Sequence, residues 1–149
     1  MRAMIGSGPR VAIHWLGAIA VCVAIGCDGG ADSPPGTFSE IYDTLFPPAT
    51  NARCNFCHSM PASDISNGNL STGMDRDSAY AALVGQKSTS SRCAGKPLVV
   101  PHEPGASLFL DKLAAKPTCG DRMPLGGMAL SDDELELVRS WIAAGAIND

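Results

Sequence analysis

Apolar side chains recur at helical spacing in four stretches of the chain. Phe38, Ile41, Tyr42 and Leu45 stand at i, i+3, i+4 and i+7, which predicts one face of a short helix. Pro47-Pro48 ends it, because proline lacks the amide that would continue the ladder. A second helix is predicted over Asp75–Val84, with Tyr80, Leu83 and Val84 on one side and Gly85 as C-cap. A third is predicted over Pro104–Ala115, where Ala106, Leu110, Leu113 and Ala114 align and Pro104 suits the first turn. The clearest pattern is Ser131–Ala144. Leu135, Val138, Trp141, Ile142 and Gly145 keep the period, Ser131 and Glu134 have capping-box spacing, and Asp132 and Asp133 favour the positive helix end. Strand-like alternation is confined to the short Pro97–Pro101 stretch. The expectation is an all-α domain of about four short helices. The long connection from Pro47 to Met74 has little periodic apolar content, and such loops in compact domains are usually functional.

An apolar run from Val11 to Gly26, broken only by His14, precedes these helices. Its 16 residues fall short of the roughly 20 that a membrane span needs, while Arg2 and Arg10 supply a positive start. Residues 1–26 are therefore expected to be an export signal, with a retained anchor helix as the alternative. Ala24-Ile25-Gly26-Cys27 resembles the lipobox of bacterial lipoproteins, which implies cleavage before Cys27 and its acylation. The product would be lipid-anchored on the periplasmic side of a membrane, without spanning it. Residues 27–36, rich in Gly, Pro, Ser and Asp, read as a flexible tether, leaving 37–149 as the folded domain.

The whole chain has 149 residues and a formal charge of −4. Cleavage before Cys27 removes two arginines and leaves 9 basic against 15 acidic residues, a charge of −6. That balance excludes the basic footprint of a nucleic-acid-binding domain. With only 5 % aromatic residues, a β sandwich or barrel is also disfavoured.

Cys54-Asn55-Phe56-Cys57-His58 carries the chemistry. C-x-x-C-H is the attachment motif of c-type haem. Two thiols separated by two residues can add across the porphyrin's two vinyl groups, and the next imidazole is delivered to the iron as an axial ligand. A dithiol redox pair would want a βαβ context, and a zinc site a second ligand pair; neither pattern is present. Six cysteines minus Cys22 in the signal, Cys27 for lipid, and Cys54 and Cys57 for haem leave Cys93 and Cys119. In an exported protein they are expected to pair, with two free thiols as the alternative.

A second axial ligand could come from His102 or from Met60, Met74, Met123 or Met128. Met123 is favoured, since Pro124 stiffens its loop, Cys119 anchors it, and the last helix follows. His102 lies in what reads as a solvated turn, and the other methionines read as core filler.

From Thr37 to Asp149 the chain resembles the class I cytochrome c family, in particular the small domains of myxobacterial and planctomycete lipoproteins. The resemblance rests on Phe38–Tyr42, Cys54–His58, Tyr80–Gly85, Val99-Val100-Pro101, Ser107-Leu108, Lys112-Leu113, Cys119-Gly120, Arg122-Met123-Pro124, Leu130-Ser131 and Trp141–Ala146, in that order. It implies a cytochrome c-like fold around one covalent haem, with His58 and Met123 on the iron. It also implies an electron carrier between redox-protein partners rather than an enzyme. The alternative is a haem-containing subunit, sensor or peroxidase-like protein with a displaceable distal ligand. Leu125, Leu130, Trp141, Ile142, Phe109 and Tyr80 are expected around the macrocycle, and Arg122 or Arg53 beside a propionate unless both are solvated. The Gly-Pro-x-Leu segment that orients the proximal histidine in mitochondrial-type members is absent, which leaves the partner of His58 open.

Overall fold

The computed structural model describes residues 35–59 and 69–149. The expected signal, Cys22, Cys27, the tether up to residue 34, and Met60 lie outside the described residues. The chain divides into Met1–Asp32 and Ser33–Asp149, and the described residues belong to the second unit.

Among the described residues the fold is all-α. Five helices follow in order: α1 Phe38–Leu45, α2 Cys54–His58, α3 Arg76–Leu83, α4 Leu108–Leu113 and α5 Asp132–Ala143, with a 3-10 turn at Pro104–Ala106 before α4. Pro97–Pro101 forms no strand; only isolated bridges join Val84 to Val99 and Lys87 to Pro97. None of the described helices is long and apolar enough to cross a membrane.

Helix ends follow the chemistry of their caps. Thr37 accepts from the Glu40 amide, Asp75 from the Ser78 amide, and Ser131 with Glu134 forms a reciprocal capping box. α3 stops at Leu83 because Val84 turns extended and bridges to Val99. The helix expected over Pro104–Ala115 is broken at Ser107. That buried residue is extended, and its hydroxyl accepts from the Val100 amide and donates to the Glu103 carbonyl. Gly36, expected in the tether, donates its amide to Ser140 Oγ on α5.

α1 packs against α3 and α5, and α5 also packs against α4. Phe38, Ile41 and Leu45 from α1 meet Ala79 and Leu83 from α3, Leu110 and Leu113 from α4, and Val138, Trp141 and Ile142 from α5. Each large side chain buried this way contributes about 1.5–3 kcal/mol against the entropy of ordering. Phe38 is central, with its ring 5.2 Å from both Tyr80 and Trp141 and 6.2 Å from Phe46. Past α5 the chain folds back, as Trp141 Nε1 donates to the Ile147 carbonyl and Tyr80 Oη to the Ala146 carbonyl. Gly145, with φ of 112°, makes that turn where a Cβ would lie 2.8 Å from the His102 ring.

Candidate functional site

The five-residue helix α2 has no hydrophobic period and no side-chain N-cap hydrogen bond; Arg53 enters it at a left-handed φ of 47°. So short a helix is not stable on its own. Its neighbours hold it: the Asn55 amide donates to the Phe46 carbonyl at 2.9 Å, and the Thr72 amide donates to the His58 carbonyl at 2.7 Å. Asn55 is buried. Its Nδ2 donates to Tyr42 Oη at 3.3 Å, and its Oδ1 accepts from Thr72 Oγ1 at 3.3 Å. Thr72 Oγ1 also reaches the His58 carbonyl, and Tyr42 Oη donates to the Met74 carbonyl at 2.8 Å. Of the two residues between the cysteines, Asn55 therefore fixes the segment, while Phe56 is 71 % exposed.

This network turns Cys54, Cys57 and His58 onto one cavity of about 240 Å³, which Met123 also lines. Its apolar wall comes from Phe46, Ala52, Leu83, Phe109, Leu113 and Leu125. Exposed Phe56, Cys57 and Leu125 mark its open side. A more open depression of about 480 Å³ beside it shares Asn51, Arg53, Gly126 and Gly127 and includes Met128.

His58 Nδ1 lies 3.1 Å from the Leu70 carbonyl. A carbonyl only accepts, so Nδ1 carries the proton and the neutral ring keeps the Nε2 lone pair for a ligand. Burial pushes the His58 pKa down, favouring that neutral form, with the Leu70 bond opposing it. Burial likewise pushes the Cys54 thiol up to about 12, outweighing a backbone hydrogen bond that lowers it. Among the described residues, no group of three or more His, Cys, Asp and Glu side chains is arranged to hold a bare metal ion.

The Met123 loop is fastened from several sides. Cys93 and Cys119, the two cysteines left over in the count, are disulfide-bonded with Cα atoms 5.7 Å apart. Arg92 pairs with Asp121 at 2.7 Å, although both are exposed and the pair contributes little to stability. The Met123 amide donates to the Lys112 carbonyl at 2.7 Å. Burial pushes the Lys112 amine down, with the Asp121 and Asp111 carboxylates opposing that shift. Arg122 Nη2 donates to the Gly127 carbonyl at 2.8 Å, whereas its Nη1 is buried without a partner among the described residues. No family model, curated protein or solved structure matches this chain.

His102 lies in an exposed turn, as its sequence setting reads, and does not line the cavity; its φ is a left-handed 66°, its amide donates to the Ile142 carbonyl, and its Nδ1 is 3.1 Å from the Ala143 carbonyl. Other expectations are corrected. Met74 and Met128 are not core filler, being 66 % and 72 % exposed. Of six residues expected around a macrocycle, only Phe109 and Leu125 line the cavity; Leu130, Trp141, Ile142 and Tyr80 pack in the core around Phe38. Arg53 lines the cavity but is exposed, with its guanidinium 5.9 Å from the Phe56 ring. The Leu70 carbonyl, Asn55, Thr72 and Lys112 went unforeseen as parts of the site. Lys112 and its neighbour Leu113 carried part of the family resemblance, and Asn55 stands inside the motif, so only their roles were hidden.

Proposed function

We propose that this chain is a monohaem c-type cytochrome that carries electrons outside the cytoplasm, tethered to a membrane through acylated Cys27. The observation that carries this reading is the convergence of Cys54, Cys57, His58 and Met123 on one cavity. The residues present fit a haem on one further count. His58 has its Nδ1 engaged by the Leu70 carbonyl, so Nε2 is the ligating atom. Of the two arginines expected beside a propionate, Arg53 lines the cavity and Arg122 does not.

When bound, the haem supplies an iron that gains and loses one electron. The two cysteines would hold it by thioether bonds, and His58 and Met123 would ligate the iron. A thioether ligand and the apolar wall of Phe46, Leu83, Phe109 and Leu113 both favour a raised potential. The exposed side at Phe56 and Cys57 is the natural route for electrons to donor and acceptor proteins. With a mature charge of −6, long-range attraction favours partners of net positive charge.

The test uses full-length protein exported by a host that matures c-type cytochromes. Wild type is expected to hold one iron per chain and to show the weak red thioether–iron band when oxidised. Met123→Ala is expected to lose that band and keep the iron. A Met123→Ala spectrum identical to wild type would remove Met123 as ligand and favour a different distal ligand or an open iron.

A further inference from the structure

Lys112 stands on α4 with its ammonium reaching into the loop that bears Met123. Nζ donates to the Cys119 carbonyl at 3.1 Å and to the Asp121 carbonyl, the two groups that flank Gly120. Gly120 has a φ of 62°, the left-handed region that favours glycine, and a Cβ there would lie 2.9 Å from Nζ and push the ammonium aside. The Lys112 carbonyl accepts the Met123 amide at 2.7 Å. One residue therefore grips the loop by its side chain on one flank and by its backbone at Met123 itself. The disulfide and the Arg92–Asp121 pair tie the same loop to a different segment, residues 92 and 93. Two residues connect it to the helix whose Phe109 and Leu113 form the cavity wall: Asp111, whose carboxylate accepts from the Thr118 amide and hydroxyl, and Lys112, which alone of the two bonds to Met123 itself.

We propose that Lys112 is the positioning residue that holds Met123 against the iron. This inference rests on the cytochrome reading above. A thioether is a weak, neutral ligand, so its occupancy depends on the loop being held in place before it binds. Charge-assisted hydrogen bonds to two carbonyls supply that restraint. The ammonium acts through the loop and does not ligate.

The test is a visible titration of the oxidised holoprotein with imidazole, which competes with the Met123 thioether. Lys112→Leu removes the donors and adds no thioether to the cavity that residue 112 lines. It is expected to bind imidazole about tenfold more tightly than wild type, the scale of one lost hydrogen bond to a charged group. Val138→Ala, in the core of α5 and away from the cavity lining, lowers stability and is expected to leave the affinity unchanged. An unchanged affinity in Lys112→Leu, or an equal shift in Val138→Ala, would overturn the positioning role while leaving the cytochrome reading intact. If Lys112→Leu fails to accumulate, Lys112→Ala in the same titration decides: unchanged affinity overturns the role. Wild-type protein without covalent haem would overturn both.

Discussion

The two residues inside the C-x-x-C spacing are predicted to differ sharply in what they contribute. Asn55→Ala removes a buried amide that donates to Tyr42 Oη and accepts from Thr72 Oγ1, each at 3.3 Å. Neither partner is fully orphaned, since Tyr42 keeps the Met74 carbonyl and Thr72 keeps the His58 carbonyl. One long neutral hydrogen bond at about 1 kcal/mol, plus a share of the single Thr72 hydroxyl proton divided between Asn55 and the His58 carbonyl, gives a loss of about 1–2 kcal/mol. That is a large share of the roughly 5–15 kcal/mol stability of a domain. Urea unfolding of the holoprotein measures it as a lower midpoint at unchanged slope. Phe56→Ala, at the exposed neighbour, is expected to stay within about 0.5 kcal/mol of wild type. A cycle combining Asn55→Ala with Thr72→Val should show a coupling of at least about 0.5 kcal/mol, because the two side chains touch. Equal losses at positions 55 and 56, or no coupling to Thr72, would refute the claim that Asn55 fixes the C-x-x-C-H helix.

Asp75 caps α3 through the Ser78 amide and hydroxyl, and these bonds hold its carboxyl below the usual carboxylate value. Its folded pKa is lower than its unfolded one. The stabilisation is therefore complete above the unfolded value and is lost as pH falls through the folded one. Asp75→Ala should flatten that acid limb in pH-dependent urea titrations; an unchanged limb would contradict the cap. Replacing Cys93 and Cys119 together by serine opens a loop spanning 26 positions, an expected loss of about 3 kcal/mol by denaturant titration.

Much of the scaffold was legible because local chemistry and tertiary packing agree there. The period and capping box of α5 and the Phe38 face of α1 fold as the sequence predicts. α2 was not legible. Five residues carry no period, and the bonds that make them a helix come from Phe46 and Thr72, far from its own sequence. The break at Ser107 was hidden for the same reason, since it depends on a hydroxyl meeting Val100 and Glu103. Periodicity marks Trp141 and Ile142 as buried but does not say against what, so core residues were assigned to the cavity. Spacing alone singles out Cys54, Cys57 and His58, and the fold turns all three onto one cavity. The Leu70 carbonyl was not legible, because a backbone acceptor leaves no mark on residue identity. Nor does any one-dimensional pattern bring the Lys112 ammonium to the carbonyls beside Gly120.

The most direct test is a pyridine haemochrome spectrum of the denatured chain, taken from full-length protein exported by a maturation-competent host. A c-type haemochrome that stays with the denatured polypeptide, and is lost when Cys54 and Cys57 are both replaced by serine, is the predicted result. A colourless wild-type protein from that host would contradict the cytochrome reading outright.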